Sequence, residues 1–168
     1  MATTYDPIAT TTLGSAAASI TFSSIAASWT DLKLVVVATT AGQDSVQIRF
    51  NGDAAANYSH HDLYSNQVSV GAVAIAATDA IILALSAVAS PIPVSFLVDI
   101  FSYAGSTYKT ILSSGSGDKN GGVVAQGVEI TTGMWRNTAA ITSIALTLNG
   151  GGNFSTGTTA TLYGILKA

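Results

Sequence analysis

The chain has 168 residues, a net charge of −3 and a charged fraction of only 9%, against about 25% in an average soluble domain. Six basic residues without a basic cluster argue against nucleic-acid binding through phosphates, and the lack of cysteine excludes disulfides and thiolate sites. A neutral coat of Thr, Ser and Ala is more typical of a protein that packs against other proteins than of a free enzyme. The length fits a single domain, 1–168, with enough chain to bury a core.

The N-terminal segment 1–14 is polar and rich in Thr, and Pro7 interrupts it. Because proline lacks the backbone donor that a central strand needs, this segment is predicted to be an N-terminal arm or an edge strand. No Lys or Arg precedes Lys33, and no apolar segment lies near the start. The sequence therefore predicts no signal peptide and synthesis in a cytoplasm without Sec export.

The first predicted core strands are marked by their apolar residues. Segment 18–25 alternates in part, with Ile20, Phe22 and Ile25 as core anchors. Segment 32–39, LKLVVVAT, is almost continuously apolar and rich in β-branched residues, which favours a buried strand.

A third predicted strand is followed by the least regular part of the chain. Segment 45–50 alternates cleanly, and the turn signal Asn51-Gly52-Asp53 ends it. Segment 54–67 contains both histidines and two of the six tyrosines without clear alternation, so it is predicted to be a long loop.

Segment 68–89, VSVGAVAIAATDAIILALSAVA, is long enough to cross a membrane. However, Asp79 lies near its centre, where a charge opposes insertion by about 2.5–3.5 kcal/mol, and no Lys or Arg flanks the segment. We therefore predict no membrane span. The sequence instead favours two strands around a turn at Thr78-Asp79, with 80–87 as the second strand.

Segment 93–114, PVSFLVDIFSYAGSTYKTILSS, is predicted to be the central β-hairpin, with a two-residue type II′ turn at Gly105-Ser106. The two-residue period of a strand then gives two faces, both largely apolar. We therefore expect the hairpin to lie in the middle of a sandwich or against a neighbouring subunit. In this register Ile100 lies opposite Ile111, Asp99 opposite Leu112 and Tyr103 opposite Tyr108. One face carries Val94, Phe96, Val98, Ile100 and Ile111, and the other carries Leu97, Phe101, Tyr103, Tyr108 and Leu112.

The remaining chain continues the pattern of short strands and Gly-rich connections. No segment has the apolar period of an amphipathic helix with caps. About eight to ten short strands therefore predict an all-β fold, namely a single antiparallel β-sandwich of jelly-roll type. The predicted elements are an exposed loop at 115–122, a strand at 123–131, a corner at 133–137, a strand at 141–148, a loop at 149–153 and a final strand at 158–166.

His60, His61 and Asp62 form the one cluster with metal-ligand chemistry. Adjacent residues in a strand point to opposite faces, so the two histidines cannot readily share a metal there. In a loop they could, but a third ligand would have to come from elsewhere. We expect a solvated loop or a contact with a partner subunit at His60 and His61, and no metal or other cofactor.

No catalytic residues are predicted. Asp99 lies within a predicted strand and needs a hydrogen-bond or charge partner. Lys109 falls on the opposite face, and nothing places Glu129, the only glutamate, beside Asp99 as a glycosidase pair. Asp99 is therefore expected to accept structural hydrogen bonds or to lie at a subunit interface. The abundant Ser residues are not accompanied by a GxSxG elbow.

The aromatic residues supply the candidate contact sites. Trp135, beside Arg136 in a predicted corner, is the best candidate for an exposed ring that binds a sugar. The alternative is that both tryptophans, Trp29 and Trp135, cap the ends of the core. Tyr103 and Tyr108, near the hairpin tip, are predicted interface anchors.

Four stretches of the chain together carry a resemblance to a known group of proteins. They are TYDPIATTTLGSAAASITFSSI, PVSFLVDIFSYAGSTYKTILSS, GMWRNTAAITSIALTL and GTTATLYGI. As a set they resemble small virion structural proteins of tailed phages, cyanophages among them, and segment 68–89 is the least similar part. The resemblance implies a capsid decoration (cement) protein or a tail or fibre component. Cement proteins often form trimers at capsid three-fold positions, and no catalytic residues come with the resemblance.

The first hypothesis is a non-enzymatic virion protein on the capsid surface that stabilises the head as a homotrimer bound to the major capsid protein. The alternative is a tail or fibre module that binds host glycan or another virion protein. A third hypothesis, a small hydrolase, requires paired carboxylates or a Ser/His pair within hydrogen-bond reach. The short chain favours the decoration protein, because a fibre normally carries an additional shaft.

Overall fold

The computed structural model describes residues 5–42, 44–66, 69–83, 93–117 and 126–166. The described residues contain twelve β-strands and no helix. The predicted elements at 1–4, 84–87, 118–122 and 123–125 lie outside the described residues. The strands are β1 (Tyr5–Thr12), β2 (Ser19–Phe22), β3 (Asp31–Ala38), β4 (Val46–Phe50), β5 (Tyr58–Asn66), β6 (Val70–Thr78), β7 (Ile81–Ile82), β8 (Val94–Phe101), β9 (Lys109–Ser116), β10 (Gln126–Trp135), β11 (Ile144–Leu148) and β12 (Thr159–Ile165).

The strands form two antiparallel sheets. The larger sheet has eight strands in the order β1-β12-β3-β8-β9-β10-β5-β6, and the smaller has four in the order β2-β11-β4-β7. The predicted all-β sandwich class is confirmed, although the strands number twelve rather than eight to ten. The jelly-roll topology is not confirmed by this strand order.

The two sheets share one hydrophobic core. In the strands that contribute to it, alternate residues point into the core, as the two-residue period requires. From the large sheet, β3 buries Leu32, Leu34 and Val36, and from the small sheet, β4 buries Ile48 and Phe50. The predicted anchors Ile20, Phe22 and Ile25 are also buried.

The central hairpin has the predicted register in its strands but a different turn, and the predicted pairing of Tyr103 with Tyr108 is wrong. Ile100 pairs with Ile111 and Asp99 with Leu112. The two-residue turn is wrong, because β8 and β9 are joined by a loop at 102–108. The positive φ lies at Ser102 (49°), whose carbonyl accepts a hydrogen bond from the Gly105 amide at 2.9 Å. This longer loop turns Tyr103 into the core, where it is fully buried.

Three other predictions can be compared with the described strands. Segment 54–67 is not a long loop, since nine of its residues form β5. Segment 68–89 contains β6, a turn and the short β7 in its described part, and no described helix is long and apolar enough to span a membrane. The N-terminal segment contributes β1, which is the edge strand that Pro7 predicts, with a register shift between Pro7 and Ala9.

Candidate interaction surface

The side of the eight-stranded sheet that faces away from the core carries most of the large exposed apolar side chains. These side chains come from β3, β8, β9, β10, β5 and β6, and each alternates with a residue that points into the protein. We call this surface the outer apolar face. It consists of Val37, Leu63, Val70, Leu97, Phe101, Leu112, Val128 and Ile130.

Strand register brings these side chains into neighbouring rows across the sheet. One row runs through Leu97, Ser114, Ile130, Leu63 and Ala72. Directly opposite residues of adjacent strands have Cβ atoms about 4.5–5.5 Å apart, so each row is a continuous strip of contact surface. The next row runs through Asp99, Leu112, Thr132, His61 and Ala74.

The outer apolar face has few ionisable groups. On the outward side of β8, β9, β10, β5 and β6 these are Asp99 and His61. Asp99 is paired with Lys33 of β3, with 2.6 Å between Nζ and Oδ1. The predicted structural role of Asp99 as an acceptor is therefore confirmed, and the charge of Lys33 neutralises its carboxylate.

Two shallow depressions mark this face. The larger, of about 430 Å³, lies at the end of the central strands and includes Phe101, Leu112, His61, Thr132 and Met134 in its lining. The smaller, of about 240 Å³, is lined by Leu97 and Val128 together with Gly115 and three serines, Ser95, Ser114 and Ser116. The larger and more apolar depression can accept side chains of a partner protein.

In two of these strands, β5 and β10, the buried face carries polar residues next to exposed apolar ones. On β5 the inward residues include His60 and Asp62, each 1% exposed, whereas outward Leu63 is 61% exposed. On β10, Glu129 is 5% exposed, whereas outward Ile130 is 43% exposed. This is the reverse of the usual arrangement in an antiparallel sheet with one solvated side.

His60, Asp62 and Thr131 form a buried polar cluster. The Thr131 hydroxyl donates to Asp62 Oδ1 at 2.6 Å, and His60 Nε2 lies 3.6 Å from Asp62 Oδ2, too far for a hydrogen bond. Burial lowers the pKa of His60 and raises the pKa of Asp62. We therefore take His60 as neutral at pH 7, because a charged imidazole would lack a hydrogen-bonded counter-ion in this position.

Two observations limit what this cluster can do chemically. Neither ring nitrogen of His60 nor Asp62 Oδ2 has a hydrogen-bond partner among the described residues. The described residues also contain no group of three His, Asp or Glu side chains that could hold a metal. His61 points to the opposite face of β5, as the alternation of strand residues predicts for adjacent histidines.

Lys109 is a buried cation at the start of β9, on the side of the sheet opposite Asp99 as predicted. Its ammonium group donates to the carbonyls of Gly105, Thr107 (2.6 Å) and Thr138 (3.3 Å). Burial lowers the pKa of Lys109. The side chain thus ties the 102–108 loop to the chain after β10.

Trp135 belongs to the core rather than to a sugar-binding surface. Its ring is 1% exposed and lies 5.7 Å from the Phe50 ring and 6.2 Å from the Tyr58 ring, measured between centroids. The indole nitrogen donates to Asp53 Oδ2 at 2.7 Å. Hydrogen bonds from Asn57 and Trp135 lower the pKa of Asp53, and burial raises the pKa of Tyr58 to about 12. Trp135 therefore follows the second of the two interpretations of the sequence, in which it caps the end of the core.

The other predicted contact residues are partly buried in the protomer and partly exposed. Tyr103 is buried, and its hydroxyl donates to the Ala26 carbonyl, while Tyr108 is 52% exposed. Arg136 donates to the carbonyls of Ala56, Ala76 and Tyr58 and so fastens β10 to β5 and β6.

Of the six predicted interface residues, three therefore have exposed or half-exposed side chains. These are Tyr108, His61 and Arg136, whereas Tyr103, Trp135 and His60 are enclosed within the protomer and their side chains cannot serve as contacts.

Sequence reasoning found only part of the outer apolar face. Leu97, Phe101 and Leu112 were predicted to share one face of the hairpin, and the structure confirms that they do. It missed Leu63 because segment 54–67 was predicted to be a loop, and it missed Ile130 because no faces were assigned to the predicted strand at 123–131. The signal that was missed is the alternation of QGVEIT in β10. There the polar Glu129 lies on the buried face and the apolar Ile130 on the exposed face.

Comparison with known proteins adds no family to this description. No protein-family model, curated protein or solved structure matches the chain.

Proposed function

We propose that this protein is a non-enzymatic virion structural protein of a tailed phage. Its specific role is that of a capsid decoration protein, which stabilises the head by docking on the capsid exterior as a homotrimer. The proposal rests on the resemblance in four stretches of the chain and on the outer apolar face. The partner is the major capsid protein.

The observation that carries this proposal is that β5 and β10 each bury a polar residue next to an exposed apolar one, at Asp62–Leu63 and Glu129–Ile130. A protein that stays free in solution gains nothing by exposing Leu63, Ile130 and Leu112 while burying polar groups behind them. A protein that docks through this face recovers about 25 cal/mol for each Å² of apolar surface it covers. A standard interface covers about 800 Å² on each partner.

The electrostatics of the face suit the same role. Because Asp99 is neutralised by Lys33, docking need not strip water from an unpaired charge. The glycan-binding alternative loses its best candidate platform, since Trp135 is buried. The described residues offer no exposed tryptophan in its place, as Trp29 is itself partly buried against the core.

The proposal is tested by co-sedimentation with purified heads of the phage that encodes the chain. We expect saturable binding of the wild-type protein and loss of binding by Ile130→Lys, which puts a charge in the middle of the outer apolar face. Thr21→Lys is the matched control, since Thr21 is an exposed residue of the small sheet. Absence of binding to heads, or equal binding of both variants, contradicts the proposal, and binding to tails alone reassigns the protein to the tail.

A further inference from the structure

The eight-stranded sheet has two edge strands that differ in their chemistry. Edge strands expose unpaired backbone groups, and proteins block them with charges, prolines and bulges. The edge strand β1 has all three, namely Asp6, Pro7 and a register shift between Pro7 and Ala9. The edge strand β6 has neither charge nor proline over its nine residues, and its register shift lies near its end, after Ile75.

We propose that β6 pairs antiparallel with β6 of a second copy of this chain, around a two-fold axis at Ala74. Among the described residues, no strand lies beyond β6 in the sheet. The pairing extends the sheet from eight strands to sixteen across the two copies. It satisfies the edge backbone groups of both copies at once, as in β-strand addition.

The side chains of β6 fit this symmetric register. A strand that pairs with itself must place inward residues opposite inward residues, which an axis at Ala74 does. Val73 then lies opposite Ile75 of the second copy, and these are β-branched residues of the inward side. On the outward side, Ala74 meets Ala74 and Ala72 meets Ala76, so no bulky group or charge opposes close approach.

The region beside this edge also holds the two most exposed large apolar side chains among the described residues. Val70 of β6 is 83% exposed, and Leu63 of the adjacent β5 is 61% exposed. Both lie on the outward side, next to the proposed joint. Pairing of the two edges would merge the outer apolar faces of the two copies into one surface.

The two-fold contact is independent of docking on a capsid and adds to a three-fold contact without replacing it. It therefore predicts an even number of copies in solution. The chain alone would be a dimer of about twice 17.0 kDa, and a trimer joined through β6 would be a hexamer.

A charge at the axis provides the test. Ala74→Lys and Ala74→Glu each bring two like charges together in the proposed pair, whereas a mixture of the two variants brings opposite charges together. Because Ala74 is exposed, neither change disturbs the core. Thr10→Lys is the control, since it puts an exposed charge on the other edge strand. The readout is the mass from sedimentation equilibrium, with circular dichroism to confirm folding.

We expect the wild-type mass to correspond to two or six copies. Each Ala74 variant should halve that mass, the equimolar mixture should restore it, and Thr10→Lys should leave it unchanged. Amide hydrogen exchange at 70–75 should slow as the wild-type protein is concentrated, with no such change at 5–12. A wild-type monomer or trimer overturns the proposal, as does a mass that the Ala74 variants leave unchanged or that the mixture fails to restore.

Discussion

At Asp62–Leu63 of β5 and Glu129–Ile130 of β10, the polar residue lies on the buried face and the apolar residue on the exposed face, the reverse of the usual arrangement in an amphipathic strand. The buried face holds the cluster of His60, Asp62 and Thr131, and the exposed face holds Leu63 and Ile130. Burying polar groups is unfavourable unless they are hydrogen-bonded, and exposing apolar groups forgoes burial energy. Strands of this kind make physical sense when the exposed face is covered in the assembled state.

The largest contrast in stability should separate the two faces of β10. Trp135→Ala removes a buried ring from Phe50 and Tyr58 and leaves Asp53 without its indole donor, so it should lower the free energy of unfolding by about 3–5 kcal/mol. Ile130→Ala on the outer face of the same strand should change it by no more than about 0.5 kcal/mol. Urea denaturation measures both values, and similar losses at the two positions would contradict the assignment of faces.

Lys109 and Lys33 allow the buried and the outer face of the sheet to be compared with the same residue type. Lys109→Met leaves carbonyls of Gly105 and Thr107 without their buried donor and should cost about 1–3 kcal/mol of stability. Lys33→Met breaks a partly exposed ion pair with Asp99 and should cost about 0–1 kcal/mol. The ranking would be refuted by a Lys33 variant that is the less stable of the two in thermal unfolding.

A smaller effect should appear in the pH dependence of the free energy of unfolding, and it should be due to His60. The lowered pKa of His60 means that the unfolded chain binds a proton below about pH 6.5 while the folded protein does not. Stability should therefore fall as the pH drops below about 6.5, by up to about 1.4 kcal/mol per pH unit. The raised pKa of Asp62 acts in the opposite direction, because the folded carboxyl takes up a proton at higher pH than the unfolded one.

His60→Gln should flatten this pH dependence, and His61→Gln, on the exposed face, should leave it intact. The comparison is made from denaturation curves between pH 7.5 and 5.5, about one unit on either side of the ordinary histidine pKa. Equal slopes for the wild type and His60→Gln would show that His60 is not held in its neutral form.

The sequence predicted the fold better than the surface, for identifiable physical reasons. The two-residue alternation of β8 and β9 places Val94, Phe96, Val98, Ile100 and Ile111 on one face, so the grouping of these core residues and the Ile100–Ile111 register could be predicted. The turn could not be predicted from the local Gly105-Ser106 signal. The 102–108 loop is held by the burial of Tyr103, which is a tertiary contact that a local turn signal does not contain.

The candidate surface was harder to predict because hydropathy assigns polar residues to the outside. Asp62 and His60 made segment 54–67 look like a solvated loop, although it forms β5. The same rule would put Ile130 in the core and Glu129 in solvent, which is the reverse of their positions. Trp135 had two open interpretations, and its burial against Phe50 and Tyr58 decides between them.

The most direct test of the central claim is hydroxyl-radical footprinting of the protein, free and bound to phage heads, with mass spectrometry of the labelled peptides. We predict strong labelling of Leu63, Val128 and Ile130 in the free protein and protection of all three on the particle, with Tyr5 on the far edge as an exposed internal reference. Equal labelling of the outer apolar face in both states would contradict the claim that this face is the docking surface.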